Sequence, residues 1–159
     1  MSDKIKPGDV APDFVCISTE GTVQLSSYRG KSNVILCFYV ANDTPVCNQQ
    51  LNEFNRDLER FSECNTVVLA INPVSLEKHQ EYQKRFGFKI PLIADEDKSI
   101  SHNYGVLFPL INFVQRTVII IDKEGVIRYL KRGNPSTDTL IKFIELMNTP
   151  ASASVSSNS

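Results

Sequence analysis

The chain has 159 residues and carries 17 Lys and Arg against 18 Asp and Glu, for a net charge of −1. That length suits one domain with a sizeable core, and the even charge gives no electrostatic pull toward nucleic acid or an anionic membrane. No apolar run approaches the ~18 residues a spanning helix needs. The opening nine residues lack the apolar stretch of a secretory leader, so a cytoplasmic protein with free thiols is expected.

Residues 11–17 and 22–25 flank the turn pair Glu20-Gly21 and predict a small N-terminal hairpin. Residues 34–40 form a nearly continuous apolar run, the pattern of a strand buried on both faces. Thr44-Pro45 reads as a helix start, with Thr44 at the N-cap and Pro45 at the first helical position. Leu51, Phe54, Leu58 and Phe61 then recur at helical steps, predicting one amphipathic helix that ends at Cys64-Asn65. Residues 66–71 form a second buried strand, which a right-handed crossover would set parallel to the first.

Residues 75–86 predict a helix capped by Ser75 and followed by Gly87. An extended piece at 91–94 and a short helix at 98–104, stopped by Gly105, come next. Residues 107–113 are apolar but interrupted by Pro109, which predicts a loop that lines a pocket, meets a second copy or covers the core. Residues 117–121 and 126–130 pair as a hairpin around Asp122-Lys123-Glu124-Gly125. A helix over 137–147 closes a single domain spanning residues 1–149. Residues 150–159 contain five serines and no large side chain, so a disordered tail is expected. This order of elements is that of a thioredoxin-like α/β fold, a mixed central sheet flanked by helices with an N-terminal hairpin extension.

The four cysteines, Cys16, Cys37, Cys47 and Cys64, are 21, 10 and 17 residues apart. No pair has the spacing of a zinc site or a dithiol motif, and His79 and His102 do not complete one. The default role of each is a small buried hydrophobe. Both histidines are expected on helix surfaces, without a role.

Cys47 differs in its neighbours. It falls at the third helical position after Thr44, where unpaired amides and the helix dipole stabilise an anion. A thiol there ionises more readily and becomes nucleophilic. The Thr44 hydroxyl lies one turn back and can both accept and donate. Arg116, at the head of the 117–121 strand, is expected near the same helix start, where its charged fork of donors could hold a thiolate and an incoming oxygen. A plainer reading stands beside this one. Cys47 also continues the stripe that leads to Leu51, Arg116 could be a solvated strand-end charge, and Thr44 could be only a cap.

The stretch from Phe38 through Thr44 to Cys47 and the strand led by Arg116 resemble the peroxiredoxins. The opening Lys6-Pro7-Gly8-Asp9, the Ala94-Asp95-Glu96 segment and Tyr104-Gly105-Val106 are similar too, most of all to the bacterioferritin comigratory protein (PrxQ) group. The resemblance runs from about Lys6 to Met147. It implies a thiol-dependent peroxidase that reduces hydrogen peroxide and alkyl hydroperoxides through a cysteine sulfenic acid. Cys47 would be the peroxidatic nucleophile, with Thr44 and Arg116 as its partners and Tyr39, Val40, Pro45 and Val46 lining the pocket. No metal or organic cofactor is implied. The reductant would be thioredoxin, glutaredoxin or a small thiol, and the protein a monomer or homodimer with no nucleic-acid or membrane partner.

Two departures stand out. The family's leading proline falls on Val40, which shields the cysteine without stiffening the loop. Asn52 occupies the place where many members of that group carry a resolving cysteine. Cys64 would sit roughly 25 Å from Cys47 along one helix, whereas a disulfide needs Cα atoms within about 7 Å. A one-cysteine cycle completed by an external thiol is therefore expected. The alternative is a peroxide sensor or redox-regulated binding module on the same fold, which Val40 favours. A thiol–disulfide oxidoreductase is disfavoured by the missing C-x-x-C motif and by Gln115, where thioredoxins carry a proline.

Overall fold

The computed structural model describes residues 5–149; the serine-rich tail expected at 150–159 lies outside the described residues. In chain order the elements are β1 (Val15–Ser18), β2 (Gly21–Gln24), β3 (Asn33–Phe38), α1 (Pro45–Arg56), α2 (Leu58–Glu63) and β4 (Thr66–Asn72). They continue with α3 (Leu76–Phe86), β5 (Leu92–Ala94), α4 (Ser99–Asn103), β6 (Thr117–Ile121), β7 (Ile127–Arg132) and α5 (Thr137–Asn148). The strands form one seven-stranded sheet in the order β2-β1-β5-β4-β3-β6-β7. β3, β4 and β5 run parallel, β6 is antiparallel to β3 and β7 antiparallel to β6, and the hairpin joins the far edge where Ser18 pairs with Ile93. This is the expected mixed sheet with its hairpin extension.

All six residues of β3 are buried. Successive side chains on a strand point to opposite faces, and here both faces are covered. Ile35 and Cys37 pack with Leu51, Phe54, Phe61, Leu140 and Ile144 of α1, α2 and α5. Val34, Leu36 and Phe38 pack on the other side with Ile100 and Tyr104, next to α4 and the hairpin. Two covered faces explain why the sequence shows a continuous apolar run instead of alternation. Each large side chain so enclosed contributes about 1.5–3 kcal/mol.

Three sequence expectations are corrected. The helix expected from Pro45 to Cys64 is interrupted at Asp57, whose backbone leaves helical geometry at φ −101°, ψ 14°. Its buried carboxylate accepts from Arg56 at 2.8 Å and from the Thr137 hydroxyl, which binds the break to the start of α5. The apolar stripe runs through the break, so periodicity alone does not reveal it. His79 is fully buried, not on a helix surface; it shares one face of α3 with Tyr82. The loop at 107–113 covers the core only through Leu107, because Phe108, Leu110, Ile111 and Phe113 are all exposed. Among the described residues no helix is long and apolar enough to cross a membrane.

Candidate active site

β3 delivers the chain to the carboxyl edge of the parallel strands, where open α/β sheets place their chemistry. A short turn follows, in which Asp43 takes a left-handed conformation at φ 55°. Thr44 is extended at the N-cap, Pro45 opens α1, and Cys47 lies in its first turn. The Thr44 side chain makes no capping hydrogen bond. Its hydroxyl turns instead toward the Ala41 carbonyl, at 3.4 Å, and toward the Cys47 sulfur.

Arg116 comes from the other side. β6 is antiparallel to β3 with Thr117 opposite Phe38, so the residue before β6 falls beside the turn after β3. The Gly133 amide donates to the Arg116 carbonyl at 2.8 Å and fixes that strand end. From there Arg116 Nη2 donates to Cys47 Sγ across 3.2 Å. Its Nε is buried and has no hydrogen-bond partner among the described residues, and neither side-chain polar atom of Gln50, one turn after Cys47, has one either.

The Cys47 side chain is wholly covered. Burial opposes its ionisation, but the Thr44 hydroxyl, the Ala41 amide, the Arg116 guanidinium and the Val40 amide outweigh that penalty and hold the thiol below its ordinary value. The other three cysteines move the opposite way. Burial pushes Cys37 far up, Cys16 up with help from Asp95, and Cys64 up with help from Glu145. Cys37 is the buried hydrophobe expected of it, whereas Cys16 and Cys64 are only partly covered. Of the four thiols, Cys47 alone is held below its ordinary value.

A family model for the AhpC/TSA family matches residues 7–130, most of the chain. The chain belongs to this family. Among its peroxiredoxin relatives, the chloroplastic 2-Cys peroxiredoxin BAS1 of Hordeum vulgare is 38% identical over 138 residues, covering 80% of this chain and 66% of that protein. A peroxiredoxin bcp of Coxiella burnetii is 33% identical over 130 residues, covering 77% of this chain and 85% of that one. The crystal structure of peroxidoxin BcpB from Mycobacterium tuberculosis shares the fold, with a TM-score of 0.84, 23% identity, and coverage of 91% and 99% of the two chains. The chain is thus a peroxiredoxin of the PrxQ/Bcp type, and peroxide reduction at the expense of a thiol is the chemistry of that group.

Of the residues expected at the peroxiredoxin site, Thr44, Cys47 and Arg116 come together. The four pocket residues divide. Tyr39 is fully buried behind the sulfur, while Val40, Pro45 and Val46 are exposed around the start of α1. The Ala41 and Val40 amides also help to hold the thiol low. Backbone donors leave no mark in a sequence, so no signal pointed to Ala41. Asn72 and His79, which hold that turn from behind, were also missed. For His79 a signal existed, since it lies three residues before Tyr82 on one helical face.

Cys64 stays remote from this site. It precedes β4, whose first residue pairs with Asn33 at the opposite end of β3 from Cys47. The length of β3 alone separates the two ends by about 17–20 Å.

Proposed function

We propose that the protein is a thiol-dependent peroxidase in which Cys47 is the nucleophile and Thr44 and Arg116 its catalytic partners, all carried by one domain over residues 1–149. The Cys47 thiolate attacks the terminal oxygen of hydrogen peroxide or an alkyl hydroperoxide. The O–O bond breaks, its electron pair leaves on the distal oxygen, and that oxygen takes a proton to leave as water or alcohol. Cys47 becomes a sulfenic acid. Donors aimed at the oxygens lower the barrier because charge moves onto the leaving oxygen in the transition state. The Thr44 hydroxyl and the remaining N–H groups of the Arg116 fork are those donors, together with the turn amides. The observation that carries this reading is the Arg116 contact with the one cysteine whose thiol is held low.

An external thiol completes the cycle. It condenses with the sulfenic acid to a mixed disulfide and water, and a second thiol releases Cys47. Thioredoxin, glutaredoxin or a small thiol would serve in a reducing cytoplasm. The position of Cys64 at the far end of β3 supports a one-cysteine cycle. The exposed apolar residues Phe108, Leu110, Ile111 and Phe113 favour a homodimer over a monomer.

The test is peroxide consumption with a thiol reductant in excess. Wild type and Cys64→Ser should turn over many equivalents, and Cys47→Ser should fall to background, a loss of about 10³-fold or more. Mass spectrometry after one equivalent of peroxide should find sulfenic acid on Cys47 and no Cys47–Cys64 disulfide. Consumption of a single equivalent despite reductant would make the protein a sensor. The exposed Val40 is the one feature that favours that second reading.

A further inference from the structure

The turn over residues 39–42, between β3 and the start of α1, is irregular backbone, and something outside it must hold it. Asn72, the last residue of β4, divides its side-chain amide between the carbonyls of Tyr39 and Val40, at 2.9 Å each. The backbone carbonyl of the same Asn72 lies 3.1 Å from His79 Nε2. The other ring nitrogen, Nδ1, lies 3.3 Å from the Tyr39 hydroxyl and 3.4 Å from Asn42 Nδ2. The Tyr39 hydroxyl donates to Asn42 Oδ1 at 2.6 Å.

Donor and acceptor counting, with the shorter of the two Tyr39 hydroxyl contacts, 2.6 Å against 3.3 Å, gives one assignment. A carbonyl only accepts, so His79 Nε2 carries the hydrogen that goes to Asn72. The single hydrogen of Tyr39 goes to Asn42 Oδ1. In the neutral ring Nδ1 is then an acceptor, and Asn42 Nδ2 is its donor. The bonds close a circuit from Tyr39 to Asn42, to His79, to Asn72 and back to the carbonyls of Tyr39 and Val40. Tyr39 and His79 are fully buried and Asn72 nearly so. In such surroundings hydrogen bonds rigidify what they hold and are costly to break; among the described residues only Asn72 Oδ1 of this set lacks a partner. A phenylalanine would fill the His79 position without any desolvation cost. Its hydrogen-bond partners Asn72, Tyr39 and Asn42 lead to the 39–42 turn, directly or through Asn72.

We propose that His79 is a positioning residue for the Cys47 chemistry, fixing through Asn72, Tyr39 and Asn42 the turn that leads from β3 into α1, where the Ala41 carbonyl receives the Thr44 hydroxyl. It touches neither substrate nor sulfur. The inference rests on the reading of Cys47 as nucleophile. Burial keeps the imidazole neutral, pushing its pKa below the ordinary histidine value, in keeping with the acceptor role of Nδ1.

Three variants test it: His79→Phe, which keeps a ring and removes both nitrogens; His79→Gln, which restores a donor toward the Asn72 carbonyl; and Tyr39→Phe, which removes one oxygen. The readout is the pH dependence of Cys47 thiolate absorbance at ~240 nm, taken against the Cys47→Ser form of each variant, together with peroxidase kcat/KM and thermal midpoint. His79→Phe should move the thiolate titration to higher pH and lower kcat/KM about tenfold, as expected when donors drift from a reacting atom. His79→Gln should recover part of both, and Tyr39→Phe should move both the same way by less. A folded His79→Phe with the wild-type titration overturns the proposal. If His79→Phe does not fold, Tyr39→Phe decides, and an unchanged titration there overturns it equally. If Cys47→Ser retains activity, the reading of Cys47 fails. If Cys47→Ser is dead while the His79 and Tyr39 variants titrate like wild type, only the role of His79 fails.

Discussion

Arg116 and Cys47 stand 69 positions apart in the chain, yet the guanidinium donates to the sulfur at 3.2 Å. The register of β6 on β3 makes this contact, since pairing Thr117 with Phe38 brings the residue before one strand to the turn after the other. A lysine could reach the same region but would bring a point charge without the planar fork. Arg116→Lys should therefore lower peroxidase kcat/KM by about 10²–10³-fold and shift Cys47 ionisation to higher pH. Steady-state kinetics and thiolate absorbance check both.

Thr44 separates hydroxyl chemistry from side-chain shape. Its hydroxyl lowers the Cys47 pKa and makes no capping bond, so helix stability does not depend on it. Thr44→Val should cost about 10–100-fold in kcat/KM with little change in thermal midpoint. Thr44→Ser keeps the oxygen and should stay close to wild type. A large fall in the midpoint of Thr44→Val would mean that the cap matters after all.

Cys47 also ties folding stability to pH. Its folded-state pKa lies below the ordinary 9.0, so at intermediate pH the unfolded chain binds a proton that the folded chain does not. The resulting stabilisation is complete above pH 9.0 and is lost as pH falls through the folded value. The stability of wild type relative to Cys47→Ser should accordingly rise as pH climbs from the folded value toward 9.0 in denaturant titrations. A flat difference would contradict the ionised sulfur.

Asp57 shows the same sign at acid pH. The hydrogen bond from Arg56 holds its carboxyl down at about 2, helped against burial by the Thr137 hydroxyl and by Arg60. Its contribution is complete above 3.8 and is lost as pH falls toward 2. Asp57→Asn should cost about 1–3 kcal/mol at pH 7, and the gap to wild type should close near pH 2 in urea unfolding curves.

Much of this was legible beforehand. The apolar run at 34–40 declared a strand with two covered faces, Thr44-Pro45 marked the start of α1, and Arg116 lay at the head of a β-branched strand. Each of these is a side-chain pattern with a local physical cause. What stayed hidden depends on backbone direction or on distant partners. The amides of Val40 and Ala41 belong to residues whose side chains point elsewhere. The break at Asp57 exists because a hydroxyl 80 residues later meets its carboxylate, and the helical spacing of Leu51, Phe54, Leu58 and Phe61 continues across it undisturbed. His79 looked solvated because its helix is mostly polar, and only the tertiary position of Asn72 gives it a reason to be inside.

The interruption at Asp57 also sets how far fraying can travel. Peroxide is small, but a reductant must bring a second sulfur onto Cys47, which is wholly covered. Were α1 to loosen from its Pro45 end, the atom would come within reach, and the loosening would meet the break at Asp57 twelve residues on, where the carboxylate ties the chain to α5.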